Sequence, residues 1–359
     1  MGSLNRAIHA THYLHPVREP EDAGGLRREL GGCAQERGVR PALAAKAELA
    51  ATEIATNILG HAGGRGYVLF RGIGEGQSAG IEMIGVDRGP GIEDVARALA
   101  DRTPADYERM LHADGRPQGI GAGLSAVRRL ASEFDIFSRP GEGTVVLARF
   151  HGGATPLDGG YQVGGVSVAL EGFGIQSGDG WATATDGSAC TAVLVDGLGH
   201  GPIAKAAADA ALDVFAREYQ GDCEKYILLA HEALRATRGG VLGLCRIDRH
   251  AMTTHFVGIG NIEGRILLRD RAHGLASRNG TLGIDMTAPV MRLLEYAWEP
   301  GAVAILHSDG VSARFDSESL RALVMHDPAI IAATIHRDHS RGRDDASVVV
   351  VKDVGEPLA

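Results

Sequence analysis

From Pro41 onward, Leu43, Ala47, Ala50, Ile54 and Ile58 recur at three- and four-residue intervals, the spacing of one buried helix face. An earlier helix is predicted from Pro20-Glu21-Asp22, with acid in its first turn, to about Arg37, where Gly38 stops it. Residues 5–15 (Ala7, Ile8, Thr11, Tyr13, Leu14) predict one short strand, and 67–71 and 81–86 two more. Short helices are expected over 93–100 and 124–132, then a closing hairpin over 134–138 and 144–150 with Pro140-Gly141 in its turn. Residues 151–160 (HGGATPLDGG) are Gly-rich and lack periodicity. Beyond them strands separated by glycine turns are predicted at 163–170, 181–186 and 192–195. Helical stretches follow at 202–219 and 224–237, then strands at 243–248, 254–259, 265–268, 303–307 and 347–352. The change of pattern divides the chain into a domain over 1–151, a linker over 152–160 and a layered α+β domain over 161–359.

The length of 359 residues suffices for two domains that each bury a core. A net charge of -9 argues against nonspecific nucleic-acid binding, which needs a basic face. Cys33, Cys190, Cys223 and Cys245 show no metal-type spacing and read as small buried hydrophobes of a reduced cytoplasm. No apolar run approaches the roughly 20 residues that span a bilayer. The charged, His-containing first 20 residues are no signal peptide, and Arg6 stands where a myristoylation motif needs Ser or Thr. A cytoplasmic protein without membrane or nucleic-acid partners is expected.

Two sets of residues carry chemistry. In the first, Glu53 and Asn57 lie four apart on one helix face, where a carboxylate can orient or deprotonate a hydroxyl and an amide oxygen can hold Mg²⁺. Asp87 ends an apolar strand and enters a turn with Gly89 and Gly91, where it could accept a hydrogen bond from an adenine amino group. Gly119, Gly121 and Gly123 open a helix at Leu124, and glycine amides at a helix start suit a polyphosphate. His61, one turn beyond Asn57, reads as a partly buried helix-end residue. Over residues 5–150 this ordered set resembles the GHKL ATPase superfamily, and most closely its small serine kinases of bacterial stress signalling, the RsbT type. Gly143-Thr144 fits that family's final Gly-Thr element. The resemblance implies a Bergerat α/β sandwich binding ATP and Mg²⁺, with Glu53 as catalytic base, Asn57 as Mg²⁺ ligand, Asp87 as adenine reader and 101–118 as a lid. No phosphoacceptor-histidine hairpin lies upstream, so a histidine kinase is not expected.

In the second set, Asp179, Asp196, Asp309 and Asp344 sit beside small residues at strand ends. Four close carboxylates repel one another unless hard divalent cations neutralise them, and a pair of such cations also activates water for attack on phosphorus. The ordered segments Ser177-Gly-Asp179, Asp196-Gly-Leu-Gly-His-Gly201, Ser308-Asp-Gly310 and Asp344-Asp345 resemble the PPM (PP2C-like) phosphatases of the SpoIIE and RsbX branch. That resemblance implies an αββα-layered fold and two Mn²⁺ or Mg²⁺ ions bridged by Asp196. Asp179, Asp309, Asp344 and the Gly197 carbonyl complete the ligands, and Asp345 is a neighbour outside the set. His200 either protonates the leaving serine oxygen or shapes its loop. No arginine phosphate clamp is evident as a motif.

Together the resemblances imply a partner-switching regulator that phosphorylates Ser or Thr of a STAS-domain antagonist and removes phosphate from the same or a related protein. The alternative is a first domain that grips a sigma factor or STAS protein without catalysis, leaving the phosphatase as the only enzyme. A stand-alone ATPase with a degenerate phosphatase domain is disfavoured by the complete aspartate set.

Overall fold

The computed structural model describes residues 4–100, 123–153, 160–287 and 289–354. Of these, 13–100 and 123–153 form one compact unit, while 4–12, 160–287 and 289–354 form another. The predicted strand over 5–15 is two strands that serve different units. β1 (Asn5–His9) pairs antiparallel with β8 (Asp179–Thr185), and the edge strand β2 (Tyr13–Val17) pairs with β3 (Gly66–Ile73). The expectation that all of 1–151 is one domain is therefore corrected at its start. His12 breaks the run: it is fully buried, and its backbone N–H donates to the Ser167 carbonyl at 2.8 Å.

The first unit is a five-stranded antiparallel sheet ordered β2-β3-β4-β6-β5, with β4 (Gly80–Asp87), β5 (Glu133–Arg139) and β6 (Gly143–Phe150). Its helices are α1 (Asp22–Glu36), α2 (Pro41–Ala62), the single turn α3 (Val95–Ala98) and α4 (Gly123–Leu130). α2 starts at Pro41, whose missing N–H costs nothing there, and ends at Gly63 in the left-handed region at φ 60°. Its periodic face buries Ala47, Ala50, Ala51, Ile54, Ala55 and Ile58 against the sheet and α1. Across the strands runs a ladder of paired charges: Arg71 to Glu82 at 2.8 Å, Glu82 to Arg149 at 2.7 Å and Arg149 to Glu133 at 2.8 Å. Each buried charge in the ladder thus meets an opposite one.

The second unit stacks two antiparallel sheets. One is ordered β1-β8-β9-β10-β11-β14, with β9 (Ala189–Gly197), β10 (Gly240–Asp248), β11 (Thr253–Ile259) and β14 (Leu294–Ala297). The other is ordered β13-β12-β15-β16-β7, with β7 (Tyr161–Val168), β12 (Glu263–Leu267), β13 (Ala272–Leu275), β15 (Val303–His307) and β16 (Ala346–Asp353). Trp181, Leu194, Phe256, Ile266 and Val349 fill the space between them. α5 (Pro202–Glu218) and α6 (Cys223–Leu234) cover the first sheet through Ala208, Leu212, Phe215 and Tyr226. α8 (Pro328–His339) packs on β7 and β16, after the short α7 (Ser317–Arg321). This is the expected helix–sheet–sheet–helix layering. α7, α8, β13 and β14 are not foreseen. Every α8 residue from Pro328 to Arg337 is buried, so no amphipathic period marks it. All four cysteines are buried and free, and no helix among the described residues is long and apolar enough to cross a membrane.

Candidate functional site

In the first unit a cavity of about 430 Å³ opens between α2 and the sheet. Its floor is Gly85, Thr144 and Val146, its helix wall Ile54, Asn57, Ile58 and His61, and its rim Asp87, Pro90, Gly91, Ile92, Ala98 and Leu124. Apolar walls with few polar groups suit a flat base with one recognised edge. The side chains come close because β4 carries Gly85 beneath α2: a methyl group there would lie 2.4 Å from Ile54 Cγ2. Of the sequence-predicted residues, Asn57, Asp87, Gly91, Leu124 and Thr144 converge on this cavity. Gly119, Gly121 and the 101–118 lid lie outside the described residues.

Asp87 ends β4, and its Oδ1 accepts the Gly89 N–H at 2.7 Å, which fixes the carboxylate at the cavity rim. Gly91 and Gly143 serve the packing of the loop more than the approach of a base. Both have positive φ, 72° and 94°. A methyl group on Gly91 would meet the Arg139 carbonyl oxygen at 2.0 Å, and one on Gly143 the Asp87 carbonyl oxygen at 2.1 Å. Ser138 binds the same parts together, accepting the Ile92 N–H at 2.9 Å and lying 2.9 Å from Thr144 Oγ1. Nothing in the sequence singles out this serine, since its partners lie on two other segments, the Ile92 turn and the start of β6.

Asn57 Nδ2 is buried without a hydrogen-bond partner among the described residues. Leaving such a group unsatisfied costs about 1–3 kcal/mol, so the amide fits a polar ligand in the cavity. Because amide oxygen and nitrogen interchange by a flip, the same side chain fits a Mg²⁺ ligand as well. Glu53 is buried, and its Oε2 accepts the Gly123 N–H at 2.9 Å, holding the start of α4. His61 is an exposed helix-end residue that also lines the cavity.

In the second unit the register of β8 against β9 sets Asp179 directly opposite Asp196. Like charges in that position are destabilising. Burial, then the charges of Asp179, Asp309, Asp344 and Asp345, push the Asp196 carboxyl up to about 9. Burial likewise raises Asp179 to about 7, although Ser308 Oγ donates to its Oδ2 at 2.6 Å. Asp309 is raised by burial and by Asp344, and accepts a hydrogen bond from Asn261 Nδ2 at 2.7 Å. Asp345 is buried, and its oxygens accept the Leu170 and Gly178 amides at 2.7 and 2.6 Å, a structural tie of the loops around Asp179. Asp344 Oδ1 takes the Asp345 N–H at 2.9 Å. Gly197 packs so tightly on α5 that a methyl group would lie 2.2 Å from the Ala204 carbonyl oxygen. His200 is exposed, its ring 5.1 Å from that of Phe173.

Among the described residues no three His, Cys, Asp or Glu side chains converge as a ready-made metal cage. The carboxylates nonetheless raise one another's proton affinity, and all-oxygen donors of this kind suit hard divalent cations. Asp179, Asp196, Asp309 and Asp344 fit such ions in kind. Ser308 and Asn261 are the orienting partners that the metal-ligand reading missed. Ser308 was visible beside Asp309, whereas Asn261 carries no sequence signal.

Residues 17–150 match the histidine kinase-like ATPase domain family. The serine/threonine-protein kinase RsbT of Bacillus subtilis (strain 168) is 33% identical over 122 residues, 34% of this chain and 83% of that kinase. A solved chain from a study of the bacterial stressosome, described as a modular system adapted to control secondary messenger signalling, is 27% identical with a TM-score of 0.50. That match covers 53% of this chain and 98% of the other. RsbX in complex with magnesium is 18% identical with a TM-score of 0.47, over 54% of this chain and 94% of RsbX. Over its first unit the chain belongs to the histidine kinase-like ATPase family that includes the serine/threonine kinase RsbT.

Proposed function

We propose that the chain is a two-activity switch, in which the first unit phosphorylates Ser or Thr on a STAS-domain antagonist and the second removes such phosphate. One observation carries the reading: a kinase-family ATP cavity and a cross-strand carboxylate pair, buried Asp179 and half-buried Asp196, occur in one chain. In the first unit Asp87 reads the adenine amino group, and Thr144 and the Gly89–Gly91 turn shape the base site. Asn57 would hold Mg²⁺, and Glu53 would take the proton of the attacking hydroxyl as its oxygen bonds to the γ-phosphorus and ADP leaves. RsbT is itself a serine/threonine kinase, which supports transfer to a protein hydroxyl.

In the second unit Asp196, Asp179, Asp309, Asp344 and the Gly197 carbonyl would hold two Mn²⁺ or Mg²⁺ ions. When bound, these supply Lewis acidity and offset the carboxylate charge. Water oxygen would bond to phosphorus, losing a proton to solvent, as the P–O bond to serine breaks, and the serine oxygen would gain a proton, for which His200 is the candidate donor. The partner is a cytoplasmic STAS protein or a related sigma regulator.

A specific contact favours a second reading. Glu53 already accepts the Gly123 amide, so the first unit could use ATP to shape a binding surface while the second unit is the only enzyme. One experiment separates the readings. The full chain is incubated with a STAS protein, ATP and Mg²⁺ or Mn²⁺, and phosphate gain and loss are followed by mass spectrometry. The two-activity switch requires Glu53→Ala to abolish gain by about 10²-fold or more, with ATP affinity retained, and Asp196→Ala to abolish loss. Absence of any gain with the unaltered chain leaves the binding reading.

A further inference from the structure

A phosphate monoester carries negative charge, and a cationic side chain beside the metal-ligand aspartates would hold and orient it. Near the Asp196–Gly201 loop Lys205 is paired with Asp209 and Arg235 with Glu232. Arg238 and Arg341 are both exposed and make no side-chain hydrogen bond or ion pair with any described residue; Arg341 acts on Asp309, whereas Arg238 lies beside the loop that follows Asp196.

Its place follows from strand register. β10 begins at Gly240 opposite Gly197, with Val241 opposite Asp196, so Arg238 stands two residues ahead of the strand that flanks the bridging aspartate. The Leu198 N–H donates to the Gly239 carbonyl at 3.0 Å, tying the Asp196–Gly201 loop to the residue after Arg238. A methyl group built on Gly199 would lie 3.5 Å from an Arg238 guanidinium nitrogen. Gly199 adopts φ 96° and so presents bare backbone beneath that guanidinium.

We propose that Arg238 is the phosphate-binding residue of the second unit, its guanidinium fork receiving the phosphoryl oxygens of the substrate above the Asp196–Gly201 loop. The assignment rests on the phosphatase reading. Arginine suits the task because its planar fork donates two parallel hydrogen bonds to phosphate, whereas lysine acts as a point charge.

The test uses the full chain with Mn²⁺, p-nitrophenyl phosphate as substrate, and inorganic phosphate as a ligand titrated by calorimetry. Arg238→Ala should raise KM and weaken phosphate binding about tenfold or more, the loss of one charge-assisted contact. Arg238→Lys should restore part of both, and the Mn²⁺ concentration for half-activation should not move. Arg235→Ala, whose guanidinium is paired to Glu232, should leave KM and phosphate affinity unchanged. An active Arg238→Ala variant with unaltered KM and phosphate affinity overturns the assignment alone. An unaltered chain that neither hydrolyses the ester nor binds phosphate overturns the phosphatase reading with it. Should Arg238→Ala fail to fold, an Arg238→Lys variant matching the unaltered chain in both constants counts equally against the proposal.

Discussion

The two units assemble their chemistry by opposite routes. In the first, Asn57, Asp87 and Leu124 come from short motifs that an apolar cavity gathers, and the polar groups are few. In the second, Asp179 and Asp196 are paired by strand register, while Asp309 and Asp344 arrive from the facing sheet's segments. The cavity leaves one buried amide, that of Asn57, without a partner among the described residues. The acidic site instead crowds carboxylates that raise one another's proton affinity. A pocket built on shape should therefore break through backbone changes, and one built on charge through changes of ionisation.

The largest expected effect tests the first half of that contrast. Gly91→Val places a branched side chain at φ 72° and against the Arg139 carbonyl, so it should cost roughly 3 kcal/mol and abolish ATP binding. Calorimetric ATP titration checks it, and unchanged affinity would show that the loop adapts. Mn²⁺-dependent ester hydrolysis should survive this change.

A smaller effect tests where the units divide. Removal of residues 1–9 strips β1 from β8 and the His9 ring from Trp181, on which it stacks at 3.7 Å. The second unit should lose on the order of 2 kcal/mol, seen as a lowered melting transition with weaker ester hydrolysis. ATP affinity should stay as it was. A loss of ATP binding instead would mean that β1 serves the first unit.

The smallest effect isolates stored repulsion. Asp196→Asn should raise the metal-free melting temperature by about 3 °C and remove the stabilisation given by Mn²⁺. The sign with pH follows from the raised carboxyl. Its protonated form stabilises the fold below the unfolded value of about 4, and that contribution is lost as pH rises through about 9. The gain from the substitution should thus grow from pH 5 to pH 9, and a constant gain would mean that Asp196 bears no such repulsion.

Much of this was legible along the chain, and the exceptions have a common cause. The α2 stripe, the Asp87 turn and the aspartates at strand ends are local patterns, so period and motif expose them. α8 escaped because it is buried all round, and β1 and β2 were merged because their apolar residues are nearly continuous. Ser138, Asn261 and Arg238 matter only through partners far away in sequence, and no local pattern encodes those meetings.

Taken alone, the order of residues determined that this chain carries an ATP-binding unit and an acidic strand-edge unit, because hydrophobic period and motif spacing are local properties. Only the tertiary structure decided that residues 4–12 belong to the second unit and that Asp179 faces Asp196. It also assigned Glu53 to hold the start of α4. These depend on strand register and burial, which arise when distant segments exclude water together and a backbone donor far along the chain finds its acceptor.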